Sequence, residues 1–274
     1  MSQAARHGSS PQGRVLITGA SSGIGAQLAK DYLAQGWQVF ACGRSSQRLA
    51  SVPGSVPLVF DVTVREGVQS AGRHLTQLLQ GQTLDLLILN AGNCEYIDDP
   101  GHFDDRLFER IIATNLLSVG YCLNSFLPLL SPRGRLALMS SSATYLPLPR
   151  AEAYGASKAA LNYLAKTLAI SLACQPGRRG TGVTLICPGF VRTPLTARND
   201  FPMPMSVDVT HASQQIMRGL AQGRREIHFP KRFTWLLKAL GSLPTAWWQA
   251  LMVRLNAGRT VSAPQISQDK DVTP

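Results

Sequence analysis

Short apolar runs alternate along the chain with segments in which apolar residues recur at helical spacing. The runs cover residues 15–18, 39–41, 58–60, 84–89, 136–139 and 183–187, and a short seventh run covers 226–229. Continuously apolar runs of this length are typical of strands buried on both faces of a parallel sheet. The segments 103–130 and 151–174 are predicted to be long helices. The alternation therefore predicts an α/β fold with a doubly wound parallel sheet.

The length and composition suit one domain of this kind. A chain of 274 residues with 45% hydrophobic content can bury the core of a single α/β domain. We predict that the domain covers 14–230 and that 231–257 form a basic, amphipathic helical extension. Residues 1–13 and 258–274 are polar and are predicted to be disordered tails. The first tail lacks the apolar centre of a secretory signal.

A glycine-rich turn joins the first predicted strand to the first predicted helix. Its sequence places Gly19, Gly23 and Gly25 between an apolar strand and a helical pattern, with Ser21, Ser22 and Ile24 among them. Glycines let the backbone approach a ligand closely, and a helix N-terminus offers unpaired N–H donors and a positive dipole end. The turn therefore predicts a site for the pyrophosphate of a dinucleotide.

The same turn also fits the Gly-x-Ser-x-Gly pattern of the nucleophile elbow in serine hydrolases, with Ser21 as the nucleophile. That fold needs earlier strands, which carry part of the oxyanion hole, but only about a dozen polar residues precede the first strand here. His211 and His228 stand in no recognisable context for a triad base. We therefore interpret Ser21 as a turn residue.

Tyr154 and Lys158 form a candidate acid/base pair. They are four positions apart in a predicted helix, so both side chains project from one face. A nearby ammonium stabilises phenolate, and the spacing predicts a tyrosine whose pKa is lowered toward neutrality. The serines Ser140, Ser141 and Ser142 lie a short distance upstream.

Taken together, these motifs resemble the classical short-chain dehydrogenase/reductase family over about residues 13 to 230. The matching residues, in family order, are Thr18-Gly-x-x-x-Gly-Ile-Gly25, Asn90-Ala-Gly92, Asn115, Ser141, Tyr154-x-x-x-Lys158 and Pro188-Gly189. The resemblance implies a Rossmann fold and an NAD(P)-dependent enzyme that interconverts a carbonyl and an alcohol.

The resemblance also implies residue roles. Tyr154 would exchange the proton, Ser141 would hydrogen-bond the substrate oxygen, and Asn115 would anchor a water relay to Lys158. Lys158 would also hold the nicotinamide ribose. Ser141 is chosen among the three serines because it precedes Tyr154 by 13 residues, the family's usual separation.

Further cofactor contacts are implied at the ends of other strands. By resemblance, Asp61 and Val62 would contact the adenine, and Thr193 would hydrogen-bond the carboxamide. The resemblance also implies that residues at the ends of two strands lie against the cofactor: Asn90, Ala91 and Gly92 at one, and Pro188 and Gly189 at the other. The proline-interrupted segment 194–205 would be a lid over nicotinamide and substrate. Its apolar content predicts a small lipophilic substrate.

The second strand indicates which nicotinamide cofactor is used. The position expected to carry a carboxylate for the ribose diol is Gly43, and Arg44 follows it. A guanidinium pairs well with phosphate, so NADP(H) is favoured over NAD(H). Ser22 occupies a turn position that is basic in some NADP-using relatives.

The histidines and cysteines give no sign of a metal site. Five histidines are scattered without ligand spacing, and five cysteines form no close pair. Unpaired thiols are typical of a reducing compartment, and we predict a cytoplasmic location.

The net charge of +11 is concentrated near the C-terminus. Residues 218–259 contain eight Lys or Arg residues against Glu226 alone, a net charge of +7. Positions 247, 248, 251, 252 and 255 form one apolar helical face with two tryptophans. Two interpretations remain open: the extension covers the active-site cleft or extends a dimer, or it makes peripheral contact with a membrane on the cytoplasmic face. No contact with nucleic acid is expected.

Two questions about the whole protein stay open at this point. In the family, the long helices equivalent to 103–130 and 151–174 commonly form a four-helix contact, so a homodimer or homotetramer is expected. The alternative function is a non-catalytic dinucleotide-binding sensor or scaffold. The presence of Ser141, Tyr154 and Lys158 favours an enzyme.

Overall fold

The computed structural model describes residues 11–256. The predicted tail 258–274 lies outside the described residues, as do residue 257 of the extension and most of the predicted tail 1–13.

The centre of the described chain is a parallel sheet of seven strands. They run in the spatial order β3-β2-β1-β4-β5-β6-β7, and each adjacent pair is parallel. Their bounds are β1 Arg14–Thr18, β2 Gln38–Gly43, β3 Val56–Val59, β4 Leu84–Leu89, β5 Leu130–Met139, β6 Gly182–Pro188 and β7 Glu226–Phe229. The predicted α/β fold with a doubly wound parallel sheet is confirmed.

Helices cover both faces of the sheet. Their bounds are α1 Gly23–Ala34, α2 Ser46–Leu49, α3 Arg65–Leu79, α4 Asp105–Ile112, α5 Ser118–Phe126, α6 Glu152–Cys174, α7 Val209–Ala221, α8 Lys231–Gly241 and α9 Thr245–Asn256. One apolar core lies between the sheet and α1 with α7, and the other lies between the sheet and α3, α5 and α6. Alternate residues of β1 face the two cores: Val15 and Ile17 the first, Leu16 the second.

The strand order places a crevice between β1 and β4. From β1 the chain proceeds outward through β2 and β3, then returns by α3 to β4 on the other side of β1. Connections that leave in opposite directions open a crevice at the carboxyl ends of these two strands, which is where such sheets bind ligands. The glycine turn follows β1 at this point.

The predicted helix over 103–130 is divided. It begins at Asp105 because the Asp104 carboxylate caps it, accepting the Leu107 N–H at 2.8 Å. A π-helical turn, Ala113–Leu117, separates α4 from α5, and a 3₁₀ turn, Leu127–Leu129, ends the run. This run has the length and mean hydropathy, 1.3, of a membrane span. It packs against α3 and α6, and a third of its apolar window is buried within the described chain.

The C-terminal extension consists of α8 and α9. Helix α8 packs on β7 and buries Thr234 and Leu237. Helix α9 is fixed near its start, where the Trp248 indole N–H donates to the Pro147 carbonyl at 2.6 Å. The extension therefore lies against the loop that follows β5.

Candidate active site

The turn after β1 has little room for side chains. Gly19 and Gly23 have φ angles of 68° and 55°, in the left-handed region that favours glycine. A Cβ on Gly25 would lie 2.6 Å from the Asn90 side-chain nitrogen and would overlap the Gly19 carbonyl. The close packing of helix against turn thus requires glycine at 25.

The N-terminus of α1 remains available for an anion. Within residues 11–256, the Ser22 side chain makes no capping hydrogen bond to α1, and the first turn of the helix contains no acidic residue. The N–H groups and the positive dipole end are therefore not neutralised by side chains, which favours a bound phosphate. Ser21, Ser22 and Ile24 accordingly lie where the sequence predicted a pyrophosphate site.

Thr18 and Asn90 join the two strands that border the crevice. The buried Thr18 hydroxyl accepts the backbone N–H groups of Asn90 and Ala91, each at 3.0 Å. In return, the Asn90 side chain donates to the Thr18 carbonyl at 3.0 Å. Both residues were predicted to bind cofactor, and the structure shows that their side chains hold β1 and β4 in register at the turn.

Tyr154, Lys158 and Ser141 come together at the carboxyl end of β5. Tyr154 and Lys158 lie on α6, and the Lys158 ammonium nitrogen is 5.8 Å from the centre of the Tyr154 ring. Lys158 is only 4% exposed, and its ammonium donates to the Met139 carbonyl at 2.8 Å. The Ser141 hydroxyl lies near the Tyr154 phenol and lowers its pKa.

The structure distinguishes among the three consecutive serines. Ser140 is buried, and its hydroxyl donates to the Asn162 side-chain oxygen at 2.5 Å. Ser142 is also buried. Ser141 begins the 3₁₀ turn Ser142–Thr144, its hydroxyl accepts the Ala143 N–H at 3.1 Å, and it lowers the pKa of the Tyr154 phenol.

Burial dominates the protonation of the pair, contrary to the expectation from sequence. It raises the pKa of Tyr154 above its ordinary value, and the nearby Ser141 hydroxyl offsets only part of that effect. Burial also lowers the pKa of Lys158 to about 8. The predicted lowering of the Tyr154 pKa is therefore wrong for this structure, because withdrawal of the phenol from water outweighs any effect of the cation.

Asn115 lies in the π-helical turn and is fully buried. Its side-chain oxygen accepts the Asn93 N–H at 2.8 Å, and its amide donates to the Asn93 carbonyl at 2.9 Å and to Ser157 at 3.0 Å. A Cβ on Gly92 would lie 3.1 Å from that oxygen and 3.2 Å from the Lys158 nitrogen. Asn115 thus joins the segment after β4 to α6 beside Lys158.

The outer end of the crevice carries Arg44. Its side chain is 76% exposed and lies 3.8 Å from the Asp61 carboxylate, which also accepts the N–H and hydroxyl of Thr63. Val62 is half-buried against the core. A Cβ on Gly43 would lie 3.3 Å from the Ser21 side chain and 3.2 Å from Leu49, so a larger residue there would crowd the turn.

The segment after β6 passes over the glycine turn. Pro188 ends β6, and the Gly189 N–H donates to the Phe229 carbonyl at 2.7 Å. The Thr193 methyl group lies 3.4 Å from the position of a Cβ on Gly23. Thr193 and Thr196 hydrogen-bond each other, which sets the start of the predicted lid.

Several residues of the site had no assigned role in the sequence analysis. Arg150 pairs with Asp98 at 2.7 Å and with Asp200 of the lid at 2.9 Å. The Tyr96 hydroxyl donates to Asn199 of the lid at 3.2 Å. These partners are about 50 and 100 positions apart in sequence, so no local pattern could have indicated them.

Cys94 is a further residue of this kind. Burial raises the pKa of its thiol, and the nearby Tyr96 hydroxyl and Lys158 ammonium lower it in part. A thiol therefore lies beside the acid/base pair.

The fold and the site together define a class of protein. A parallel sheet with a glycine turn at its switch point and an uncapped helix N-terminus is typical of dinucleotide-binding proteins. A serine, a tyrosine and a lysine at the carboxyl ends of the strands add groups that can polarise an oxygen and exchange a proton. The combination is that of a nicotinamide-dependent oxidoreductase.

Comparison with known proteins gives the family. The model of the short chain dehydrogenase family matches residues 13–201. An uncharacterised oxidoreductase of Myxococcus xanthus is 33% identical over 255 residues, which cover 88% of this chain and 96% of the relative. The 11-beta-hydroxysteroid dehydrogenase 1A of Arabidopsis thaliana is 28% identical, with 89% of this chain and 76% of the relative covered.

Solved structures agree. A short-chain dehydrogenase from Burkholderia cenocepacia in complex with NADP superposes with a TM-score of 0.73 at 26% identity, covering 89% of this chain and 98% of the other. One from Streptomyces avermitilis has the same TM-score at 21% identity and supports the fold, covering 90% and 98%. The chain belongs to the short-chain dehydrogenase family, and it is an NAD(P)-dependent oxidoreductase that acts on CH–OH groups.

Proposed function

We propose that the protein is an NADP(H)-dependent oxidoreductase that interconverts a carbonyl and an alcohol on a small lipophilic substrate, with Tyr154 as general acid/base. The observation that carries the proposal is the grouping of Ser141, Tyr154 and Lys158 beside a glycine turn able to accept a pyrophosphate.

The residues present fit a dinucleotide. The turn leaves no room for a Cβ at Gly25, and the first turn of α1 contains no acidic side chain that would repel a phosphate. The turn would hold the pyrophosphate, and Arg44 would hold the phosphate on the ribose. The adenine would lie against Asp61 and Val62, and the nicotinamide half would lie against the segments 90–92 and 188–193. When bound, the nicotinamide supplies or accepts the hydride.

The protein's own groups would orient the substrate and move the proton. The Ser141 hydroxyl lies close enough to the Tyr154 phenol to lower its pKa, so both hydroxyls could hold one substrate oxygen. In reduction, Tyr154 gives its proton to that oxygen; in oxidation, it takes the proton from the alcohol. The neighbouring Lys158 ammonium stabilises the phenolate that proton donation leaves behind.

Three observations support NADP(H) over NAD(H). Arg44 is exposed at the end of β2, where a guanidinium can pair with a phosphate. Position 43 is a glycine whose surroundings leave little room for an acidic side chain that would repel the phosphate. The Burkholderia relative was crystallised with NADP.

Aromatic rings near the lid support a lipophilic substrate. Phe201 of the lid packs against Tyr96, with ring centres 5.3 Å apart, and against Phe190 at 6.1 Å. Phe190 in turn contacts Phe233 of α8 at 5.5 Å. The Arabidopsis relative is named for a steroid, which is a lipophilic substrate.

The activity is tested by following NADPH absorbance with a panel of hydrophobic ketones and aldehydes. We expect the native protein to reduce at least one of them and Tyr154→Phe to lose about 10²–10⁴-fold in kcat, the usual contribution of a general acid. Tyr163→Phe is the matched control, because it removes a phenol from an exposed position of the same helix. It should leave kcat unchanged.

Two results would contradict the proposal. Equal turnover by Tyr154→Phe and native protein would exclude Tyr154 as the acid. Tight NADPH binding without turnover on any compound of the panel would favour the non-catalytic sensor or scaffold.

The cofactor preference is tested by binding. Arg44→Ala should raise the Kd for NADPH about tenfold and leave the Kd for NADH unchanged, because only NADPH carries the phosphate that a guanidinium binds. Arg73→Ala, which removes an exposed arginine from α3, should change neither value. Native protein that binds NADH more tightly than NADPH would refute the preference.

Assembly into a homodimer or homotetramer remains a proposal. It is supported by large apolar side chains exposed on and beside the long helices: Leu117 before α5, and Tyr163 and Ile170 on α6. The cytoplasmic location remains a prediction from the unpaired cysteines.

A further inference from the structure

The C-terminal extension leaves large apolar side chains exposed. Trp235 on α8 is 59% exposed and Trp247 on α9 is 67% exposed, although tryptophan is mostly buried in folded proteins. Each lies in a stripe of exposed apolar residues: Leu236 and Leu243 accompany Trp235, and Leu251 and Leu255 follow Trp247 at helical spacing.

The inner faces of both helices are fixed, so these stripes cannot turn inward. On α8, Thr234 and Leu237 are buried, and Gly241 lies so close to the Tyr145 carbonyl that a Cβ would overlap it. On α9, the half-buried Trp248 donates its N–H to the Pro147 carbonyl. The sequence had assigned Trp248 to the same apolar face as Trp247, and the structure separates the two.

The charge around the stripes is positive. Arg232 lies one turn before Trp235 and Leu236, Arg254 lies beside Leu255, and both arginines are exposed. Arg224 and Arg225 are exposed just before β7. Glu226, the one acidic residue of 218–256, is held by the Lys238 ammonium at 2.9 Å and by the Tyr145 hydroxyl.

We propose that this surface, formed by the outward faces of α8 and α9, binds the anionic surface of a lipid bilayer. Helices with tryptophan and leucine on one face and arginine at its edges lie in the interface between headgroups and acyl chains. Phosphate headgroups would supply negatively charged partners for the arginines, which form no ion pair within the described chain. The proposal does not depend on the catalytic activity.

Charge favours a bilayer over a second copy of this chain as the partner. A two-fold contact through this surface would bring Arg232 and Arg254 of one copy toward the same positive surface of the other. The apolar face with Tyr163 and Ile170 on α6 offers a contact for a second copy that avoids this repulsion.

The test measures cosedimentation of the full chain with vesicles of phosphatidylcholine alone or mixed with phosphatidylglycerol. We expect binding to the mixed vesicles, weakened by salt, and a blue shift of tryptophan fluorescence. Replacing both exposed tryptophans, Trp235→Ser with Trp247→Ser, should weaken binding about tenfold or more, because affinity scales with the buried apolar area. Reversing charge with Arg232→Glu and Arg254→Glu should abolish the preference for the anionic vesicles.

The matched control is Tyr163→Ser with Ile170→Ser, which removes side chains of 73% and 66% exposure from α6. Its vesicle binding should equal that of the native protein. Absence of binding to the mixed vesicles, or tryptophan variants that bind as well as native protein, would overturn the proposal. A fall in molar mass by light scattering in the tryptophan variants, without loss of vesicle binding, would identify a second copy as the partner and would also overturn it.

Discussion

Replacing Lys158 by methionine should stabilise the fold while it destroys the activity. Lys158 is buried to 4% exposure, and its burial lowers the pKa of the ammonium from 10.5 to about 8. A lowered pKa means that the folded protein disfavours the charged lysine relative to the unfolded chain. Methionine is similar in length and carries no charge, so the substitution removes that penalty.

The magnitude follows from the shift. The lowering of the pKa from 10.5 to about 8 corresponds to about 3 kcal/mol. Against this, the hydrogen bond from the charged ammonium to the Met139 carbonyl is lost, which costs about 1.5 kcal/mol. We therefore expect Lys158→Met to raise the free energy of unfolding by roughly 1–2 kcal/mol at pH 7.

The sign of the pH dependence gives a second, independent measurement. Between about pH 8 and pH 10.5 the unfolded native chain binds more protons at this lysine than the folded chain, so the stability of the native protein rises with pH there. The advantage of Lys158→Met should therefore shrink by about 2 kcal/mol between pH 7 and pH 10.

The assay is urea unfolding of the two proteins at both pH values, with NADPH-dependent turnover measured alongside. Lys166→Met is the matched control, since it removes an exposed lysine from the same helix two turns further on. It should change the free energy of unfolding by no more than about 0.5 kcal/mol at either pH. A destabilised Lys158→Met protein, or a difference that does not vary with pH, would refute the reasoning.

Three further substitutions test the geometry of the site. Gly25→Ala should lower the free energy of unfolding by about 2 kcal/mol and weaken NADPH binding, because the new Cβ would overlap the turn. The control is Gly120→Ala, whose Cβ would meet no atom within 4 Å; in urea unfolding it should be neutral or stabilising. Gly241→Ala should displace α8 from the Tyr145 carbonyl, lowering both the free energy of unfolding and kcat/KM; unchanged values would show that the contact is dispensable. Arg150→Met should raise KM several-fold, since it releases the lid, and change the unfolding midpoint little, because exposed ion pairs contribute about 0–1 kcal/mol.

The apolar runs predicted every strand of the described chain, but some boundaries differ for physical reasons. Strand β5 begins at Leu130, six residues before the predicted start, because Leu130 pairs with Leu84 ahead of a bulge. Strand β3 begins at Val56 and contains Pro57, which a strand at the edge of a sheet tolerates. The boundaries of these strands depend on pairing with strands that are distant in the sequence, and a local sequence pattern does not contain that information.

The candidate site was predictable where its residues are close in sequence or follow a motif. The proximity of Tyr154 and Lys158 follows from helix geometry, and the glycine turn follows from its place between strand and helix. The pKa values of Tyr154 and Lys158 could not be predicted from the sequence, because they depend on burial by segments far away in the chain. For the same reason, the hydrogen bonds of Asn115 to Asn93 and Ser157 were not foreseen.

Burial of the acid/base pair also bears on the direction of the proposed reaction. With its pKa raised, Tyr154 retains its proton at neutral pH, while Lys158, with a pKa of about 8, remains largely charged. The protonated phenol can give its proton to a carbonyl oxygen, and the Lys158 ammonium beside the ring can stabilise the phenolate that results. Oxidation must begin by placing a proton on a phenolate that burial disfavours. At neutral pH Tyr154 therefore carries the proton that reduction consumes, while the same burial that makes Lys158 costly to the fold makes the phenol a weaker acid.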